Sequence, residues 1–560
     1  SEGSREVHCV MPLSAEAVAR LRDTYGEPDD MSPTLKLMLE GIEAMLKPGG
    51  FDFIIVCCSN LAAENFWQTR LEHSVEQVTG TTATVLAVHE DWNGGAGNGL
   101  GTLYAFAKAC AKAQAGGIDL KAKLAAGASV ALYHTAGKGT RLAPLPGAEN
   151  NNKPGVKLPS LLQIKGESEP LTVLEAVMRQ TSAYAAVRGG RVSVFWGDQV
   201  FVPSAGVQAS SHAADILAAL RPMPSKQEWE AEQLHQYGLI AVDSRGDAMQ
   251  LEKVTYDVAV QYLPKDVTQV GTSLGSFSLS AALMEALQVE FSRELSEKVA
   301  CLDSDPHFWM PLTLARADYM SVMGKKGTSA AEAEAHFDRM AAFARAFKPE
   351  GGGILGCVDV GQQTCWWDYG RVGLYQENNL EATADTDAAF ALRCFLGLQD
   401  PKAPRADASL RVQQSSTGSA DVASSAVLLN CRIGSGKIGE RCVLVNVVAP
   451  SVELEDAILI NVTSTQPIVG NGACILYNVV HTEATALDAS GVRADVFMPS
   501  ETIVMRAGLD VDGGTAWKQT LPNNAYSYEQ VYKANQLLDV GECVAVAKKA
   551  HADAAAKVPK

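Results

Sequence analysis

The chain has 560 residues, of which 47% are hydrophobic, so it can form two to four domains with large buried cores. Its 47 basic and 64 acidic residues give a net charge of −17, which argues against nucleic-acid binding but permits a local basic site for a phosphorylated small molecule. No stretch approaches the roughly 20 apolar residues of a membrane-spanning helix, and the N-terminus lacks the pattern of a signal peptide.

The first 200 residues alternate between strand-like and helix-like segments. Apolar runs at 51–59, 82–90 and 127–135 predict buried strands, and the helical spacing of 60–77 and 102–115 predicts helices between them. Such alternation is typical of an α/β protein with a mostly parallel sheet and helices on both faces.

A further helix and strand are predicted after residue 170. Thr172, followed three residues later by Glu175, has the pattern of a capping box that opens a helix, and "RVSVFWGD" (191–198) is the next buried strand. Ligands of parallel sheets bind at the carboxyl ends of the strands. Two loops meet this rule, Gly137–Arg141 and Gly197–Asp198.

The loop "AGKGTRLAPLPGAENNNKPGVKLP" (136–159) has the composition of an anion-binding loop. Gly137 and Gly139 let the backbone approach a ligand closely, and free N–H groups there form an anion-binding nest. Arg141 and Lys153 add two charges that can neutralise a transferring phosphoryl group. The spacing is not that of a Walker loop or of G-x-G-x-x-G. The alternative is a plain tight turn.

The C-terminal third contains an internal repeat. Four asparagines, each after apolar residues, follow one another at intervals of 16, 15 and 17 residues; they are Asn430, Asn446, Asn461 and Asn478. This spacing predicts a β-solenoid with a continuous apolar core and a hydrogen-bonded asparagine ladder. "RIGSGKIGERCVLV" has the cadence of left-handed β-helices. A β-sandwich with coincidental asparagines is the alternative, and one or two helices are predicted to end the chain.

The cysteines favour a reducing compartment. None of the twelve forms a C-x-x-C pair, so neither a zinc site nor a disulfide framework is indicated. We expect a cytoplasmic protein, with the plastid stroma as the alternative if a transit peptide has been removed. Without a secretory signal, the sequon at Asn461 is not expected to be glycosylated.

The loop at residues 136–159, called the signature loop below, resembles a loop of a known enzyme family. "AGKGTRLAPLP" is similar to the A-G-x-G-T-R-[LM]-x-P-L-T motif of the sugar-1-phosphate nucleotidylyltransferases, and "NKP" to their Lys-Pro pair, displaced here by the insertion "GAENNN". The resemblance implies that Arg141 and Lys153 are catalytic. It assigns nucleotide binding to Ala136, Gly137, Gly139, Thr140, Lys157 and Gly197. Lys153 and Lys157 are rivals for the phosphate-facing lysine, and the following proline favours Lys153.

Four further segments resemble motifs of the same family in the same order. "FWGDQVF" and "WWDYGRVGLYQENN" imply that Asp198 and Asp368 bind Mg²⁺. "GLIAVDSRGDAMQLEKV" implies that Glu252 and Lys253 face the sugar phosphate, although Val254 replaces the usual proline. "GTSLGSFSLS" places Gly275 beside the sugar.

The resemblance implies a fold and a reaction. The expected architecture is a Rossmann-like nucleotidyltransferase domain over 1–405, with 1–125 as an integrated N-terminal extension, a left-handed β-helix over 406–505 and a helical tail over 506–560. The expected activity transfers a nucleoside monophosphate from a nucleoside triphosphate, UTP or GTP, to a sugar 1-phosphate and releases pyrophosphate. In the extension, "NGGAGNGLGTLYAF" resembles fucose-1-phosphate guanylyltransferases; a turn before a helix is the alternative.

Two other functions compete with this one. An acyltransferase acting through the β-helix would need a catalytic histidine there, and His481 stands alone after the last repeat. A non-catalytic homologue would serve as an assembly or sensing module. In either case the β-helix offers a surface for a homo-oligomer, and we expect the C-terminal region to support stability or assembly and not the chemical step.

Overall fold

The computed structural model describes residues 31–263, 266–362, 365–470, 472–482, 486–487 and 491–559. The N-terminal segment on which the expected absence of a signal peptide rests lies outside these ranges. Within them the chain is a mixed α/β protein with parallel-dominated sheets and two terminal helices. None of the helices in the described ranges has the length and apolar character needed to cross a membrane.

The described strands between residues 53 and 368 form a nine-stranded sheet and two small pairs. In chain order they are β1 (Phe53–Cys58), β2 (Thr84–His89), β3 (Val130–His134), β4 (Lys157–Ile164), β5 (Glu167–Thr172), β6 (Arg191–Trp196), β7 (Gln199–Val202), β8 (Ala214–Pro222), β9 (Gly238–Asp243), β10 (Ala248–Glu252), β11 (Val267–Ser280), β12 (Leu355–Asp359) and β13 (Cys365–Asp368).

The sheet has a parallel half and an antiparallel half. Its order is β10-β9-β11-β6-β3-β1-β2, with β8 beside β11 and β12 beside β8. Strands β2, β1, β3 and β6 are parallel, whereas β11 runs antiparallel to β6 and β9. The carboxyl ends of the four parallel strands therefore share one edge.

Helices flank the sheet. The described α-helices are α1 (Pro33–Leu46), α2 (Leu61–Thr79), α3 (Gly97–Ala115), α4 (Leu120–Ala125), α5 (Leu145–Ala148), α6 (Val173–Thr181), α7 (Lys226–Ala231), α8 (Tyr256–Tyr262), α9 (Ala281–Glu290), α10 (Ser292–Glu297), α11 (Met310–Thr313), α12 (Arg316–Lys325), α13 (Ala330–Ala346), α14 (Val372–Glu381), α15 (Asp387–Leu396), α16 (Tyr528–Asn535) and α17 (Val540–Ala555).

Both faces of the parallel half are covered, as the apolar runs predict. Ile54 and Val56 of β1 pack into one core with helices α1, α2 and α6, and Ile55 and Cys57 pack into another with α3 and α9. The strands and helices predicted in the first 200 residues are all confirmed. The capping box at Thr172 is also present, with reciprocal hydrogen bonds to Glu175.

The C-terminal third stacks its strands in parallel. The described strands are β14 (Val412–Gln413), β15 (Asp421–Val422), β16 (Val427–Leu429), β17 (Arg432–Ile438), β18 (Val443–Leu454), β19 (Ala457–Ser464), β20 (Ile468–Gly470), β21 (Cys474–His481), β22 (Ala486–Leu487), β23 (Gly491–Phe497) and β24 (Thr502–Gly508). Val427 pairs with Val443, which pairs with Ile458, which pairs with Ile475, in the register of the repeat. Strand β24 ends the stack because it runs antiparallel to β23.

The asparagines of the repeat occupy left-handed backbone positions. All four have φ between 53° and 55°, a region that asparagine tolerates better than most residues. Asn430 donates to Asn446 Oδ1 at 2.8 Å, and Asn446 donates to Asn461 Oδ1 at 2.9 Å. The predicted ladder is thus confirmed for three of them. Asn478 instead donates to the carbonyls of Asp495 and Ala148.

The stack is joined to the α/β part by a continuous apolar core. Leucines at alternate positions, such as Leu444 and Leu459, fill the interior of the stack. Their neighbours Val443 and Ile458 point the other way and belong to the same core as Ile54 of β1. The stack therefore packs directly on the α/β part.

The asparagine ladder predicts that substitutions of Asn446 lower the free energy of unfolding by different amounts. Asn446→Ala removes both ladder bonds and puts alanine at φ 53°, so we expect a loss of about 2–4 kcal/mol in the free energy of unfolding. Asn446→Gly loses the same bonds without the backbone strain, and its loss should be about 1 kcal/mol smaller. Urea unfolding followed by circular dichroism measures both; equal losses in the two variants would contradict the strain argument.

Candidate functional site

The signature loop leaves the sheet at the end of β3 and turns at Gly139. Gly139 has φ 64°, and a Cβ there would lie 2.8 Å from Lys153 Cβ, so glycine satisfies both the turn and the close approach of the lysine stem. The backbone N–H groups of Gly137 and Lys138 have no acceptor among the described residues, and the space over Gly137 is open. Two such N–H groups beside open space are available to an anionic ligand, as an anion nest requires.

The Lys153 ammonium forms an ion pair with Asp198 across the cleft. Asp198 lies in the turn between β6 and β7, at the carboxyl edge of the parallel strands. The side chains of Lys153 and Asp198 are 16% and 21% exposed, so both charged groups are partly buried. The Gly197 turn lies close to the loop, since a Cβ at this position would be 3.5 Å from His134 O and 3.6 Å from Pro154 Cβ, both ordinary contact distances.

Asp368 joins this pair through antiparallel strands. Strand β13 pairs with β7 so that Asp368 lies opposite Gln199, next to Asp198. A Cβ on Gly370 would lie 2.9 Å from Asp368 Oδ1, 3.4 Å from Asp198 Oδ2 and 3.6 Å from Lys153 Nζ. Three charged groups from distant parts of the sequence therefore surround one point, which the glycine leaves free.

This arrangement is compatible with an oxygen-binding divalent cation. Within the described ranges no group of three or more His, Cys, Asp or Glu side chains is positioned to hold a metal. Two carboxylates that face one free space suit Mg²⁺, which commonly takes one or two protein carboxylates and completes its shell with water and substrate phosphates. The donors present thus fit Mg²⁺.

The two candidate lysines lie in different surroundings. Lys157 is buried, and its ammonium contacts Glu149 Oε2 at 2.8 Å and Gly155 O at 3.0 Å. Its own backbone N–H donates to Tyr477 OH of β21. The structure therefore brings Lys153 to the carboxylates and places Lys157 inside the junction with the strand stack.

Two arginines are exposed in this region, Arg141 within the signature loop and Arg371 after Asp368. Arg141 projects from the 3₁₀ turn that begins at Thr140, and its Cγ is 3.8 Å from the Cβ position of Gly514. Arg371 precedes α14 and lies three residues after Asp368, and sequence analysis did not single it out. Neither arginine has an ion-pair partner in the part of the chain that the structure describes.

Arg371 also acts on a C-terminal carboxylate. A hydrogen bond from the Thr515 backbone N–H lowers the pKa of Asp512 most, and the charge of Arg371 lowers it further. Gly513 touches the signature loop, since its Cβ position lies 2.3 Å from Thr140 O. The segment after β24 therefore borders the loop on one side. Ala136, at the start of the loop, is half-buried.

The predicted sugar-facing residues lie at the neighbouring antiparallel strands. Gly275 has φ 73° at an irregularity in β11, and its Cβ position is 2.6 Å from Trp196 Nε1, so the indole covers it. The register of β10, β9 and β11 puts the end of β10 just beyond the end of β6. Lys253 is exposed there, whereas the side chain of Glu252 lies outside the described part of the structure.

A histidine and a tryptophan line the carboxyl edge of the parallel strands. The His134 ring stacks on Trp196 with centroids 5.2 Å apart, and burial lowers the pKa of His134 to about 4. Its Nε2 lies 2.9 Å from Thr102 Oγ1, whose proton goes to Asn98 O. His134 is thus a neutral donor. Sequence analysis did not single it out, although it ends a predicted strand.

The glycines that suggested a guanylyltransferase segment have packing roles. Cβ positions at Gly97 and Gly99 would lie 2.6 and 2.8 Å from Leu302 O, so both permit close contact with that backbone. A Cβ on Gly101 would instead lie 3.0 Å from Glu90 Oε2 and 3.5 Å from His134 Cε1.

Comparisons with known proteins do not assign a family to this chain. Neither a scan against protein-family models nor a search of curated proteins finds a match.

The ion pair predicts a change in metal affinity. Lys153→Met removes the cation beside Asp198, so the two carboxylates should bind Mn²⁺ about tenfold more tightly, which corresponds to about 1.4 kcal/mol. Lys138→Met makes the same charge change in the same loop, and its affinity should stay close to that of the unmodified protein. Electron paramagnetic resonance of free Mn²⁺ measures both; an unchanged or weaker affinity in Lys153→Met would contradict the arrangement.

Proposed function

We propose that the protein is a sugar-1-phosphate nucleotidylyltransferase, which transfers a nucleoside monophosphate to a sugar 1-phosphate and releases pyrophosphate. The observation that carries this proposal is the convergence of Lys153, Asp198 and Asp368 around Gly370. These residues come from three separate motifs that resemble the family's motifs in the same order. A chance assembly of unrelated turns would not be expected to bring their charges to one point.

The reaction requires positioning and charge neutralisation more than a protein nucleophile. A phosphate oxygen of the sugar 1-phosphate forms a bond to the α-phosphorus of the nucleoside triphosphate while the bond to the bridging oxygen breaks. The electron pair leaves with pyrophosphate. The attacking oxygen is already anionic, so no protein base has to remove a proton.

The residues around the cleft suit these tasks. The free N–H groups at Gly137 and Lys138 would donate to phosphate oxygens, and the Arg141 fork would bind the triphosphate. The Lys153 ammonium can move from Asp198 to a phosphate oxygen and stabilise developing charge. Asp198 and Asp368 would hold Mg²⁺, which, when bound, neutralises and orients the phosphates.

The proposed domain organisation rests on the same family resemblance. We propose that 1–405 forms a Rossmann-like nucleotidyltransferase domain, 406–505 a left-handed β-helix and 506–560 a helical tail. The parallel order of β2, β1, β3 and β6 supports the first assignment. Parallel stacking with four repeated asparagines in the left-handed conformation supports the second. The β9–β10 side of the cleft, with Glu252, Lys253 and Gly275, would receive the sugar.

We also propose the nucleotides, the cellular location and the assembly of the protein. UTP and GTP are the nucleotides to test first, and a reducing compartment, the cytoplasm or the plastid stroma, is the expected location. A homo-oligomer through the strand stack is the expected assembly.

A substrate panel tests the proposed activity. Purified protein is incubated with Mg²⁺, each of five nucleoside triphosphates and each of several sugar 1-phosphates, and pyrophosphate release is measured. We expect one pair to give turnover that depends on both substrates. Release of pyrophosphate without a sugar phosphate would indicate hydrolysis, and no release with any pair would favour the non-catalytic alternative.

The paired carboxylates predict a non-additive mutant series. Asp198→Asn and Asp368→Asn should each lower kcat by a factor on the order of 10² or more, and the double variant should be little slower than either single variant. Asp400→Asn, at a surface turn, is a control that should keep normal activity. Steady-state rates at saturating Mg²⁺ measure the effect, and near-normal turnover in either single variant would exclude a shared site.

A further inference from the structure

The insertion that lengthens the signature loop, residues 147–152, is held by the C-terminal region. Asn535 of α16 donates to Gly147 O at 2.9 Å, and Asn151 donates to Tyr532 O at 2.7 Å. Asn535 also reaches Asn151 Oδ1 at 3.3 Å. Three contacts from α16 thus hold a segment that ends immediately before Lys153.

A buried network anchors the other side of the insertion. The Tyr477 hydroxyl donates to Glu149 Oε1 and accepts the backbone N–H of Lys157 at 2.9 Å. Glu149 in turn pairs with the Lys157 ammonium. All of these groups are at least partly buried, and Tyr477 itself is fully buried. The hydroxyl therefore links the strand stack to residues on both sides of Lys153.

Apolar packing supports these hydrogen bonds. Ala143 of the signature loop belongs to a buried cluster with Val496 and Met505 of the last strands and with Tyr528 and Val531 of α16. The loop and the C-terminal region thus share one core. This packing agrees with the expectation that the C-terminal region supports stability.

The contacts form a continuous path to the carboxylates. Asn151, held by α16, accepts the backbone N–H of Lys153 at 3.2 Å through its carbonyl. The Lys153 stem then packs on Gly139, and its ammonium reaches Asp198. Displacing the insertion would therefore displace the ammonium.

We propose that Tyr477 and Asn535 are positioning residues that fix the Lys153 loop, so that the C-terminal region is part of the site. The catalytic consequence rests on the proposed nucleotidylyltransferase function. The positioning itself does not, because it concerns where the Lys153 ammonium lies. A displacement of about 1 Å at a reacting group can lower a rate by about 10².

The test compares Tyr477→Phe and Asn535→Ala with Tyr319→Phe in the full-length chain. Tyr319 is a matched control, since its buried hydroxyl has no hydrogen-bond partner among the described residues. Two measurements are independent of activity: hydrogen exchange of the peptide spanning 145–157, and Mn²⁺ affinity. In both test variants we expect at least tenfold faster exchange in this peptide. The Mn²⁺ affinity should rise part of the way toward that of Lys153→Met.

The kinetic measurement separates the two proposals. If the wild-type protein transfers nucleotides, kcat of the test variants should fall by a factor of about 10–100 while KM changes less than about threefold. Exchange rates, Mn²⁺ affinity and kcat equal to those of Tyr319→Phe would overturn the positioning role. An inactive wild-type protein with faster loop exchange in the variants would overturn the proposed function and support the positioning. If Tyr477→Phe fails to fold, Asn535→Ala alone decides.

Discussion

The contact between the Lys153 ammonium and the Asp198 carboxylate is the interaction around which the site is organised. Each partner is partly buried, so removing one would leave the other poorly solvated. Two glycines make the contact possible. Gly139 gives room to the lysine stem, and Gly370 leaves free the space that Asp198 shares with Asp368. A side chain at either position would displace one of the charged groups.

The parallel half of the sheet explains why these groups meet. Strands β3 and β6 are neighbours and end at the same edge, so the signature loop and the Gly197–Asp198 turn lie side by side. Asp368 does not follow a strand of the parallel half. It lies beside the turn because β13 pairs with β7, the strand that follows the turn. The chain carries a net charge of −17, yet Arg141 and Arg371 are exposed beside the site. The local charge thus favours an anionic ligand where the average charge does not.

The strand stack contributes to the same site through its alternation. Along each strand, every second side chain fills the interior of the stack, and the side chains between them pack on the α/β part. Tyr477 belongs to the second set, which is why its hydroxyl reaches Glu149 and Lys157. An insertion in the signature loop and a repeat more than 300 residues later are therefore parts of one packing arrangement.

The sequence by itself determined the features that depend on local periodicity. Apolar runs and helical spacing located the elements of the first 200 residues, Thr172 and Glu175 predicted the capping box, and the asparagine intervals predicted the register of the stack. These signals are local because neighbouring residues share one face of a strand, a helix or a turn. The motifs drew attention to Asp198 and Asp368 but did not indicate the contact of Lys153 with Asp198.

Only the tertiary structure decided which lysine meets the carboxylates. Lys153 and Lys157 are four residues apart in one loop, and the Lys157 ammonium turns away because it donates to Glu149 Oε2 and Gly155 O. Gly97 similarly serves the approach of the Leu302 backbone, which no nearby residue indicates. Such contacts join residues separated by up to 388 positions, and distant pairs leave no periodic trace in the sequence. Their outcome depends on how the assembled strands and helices pack.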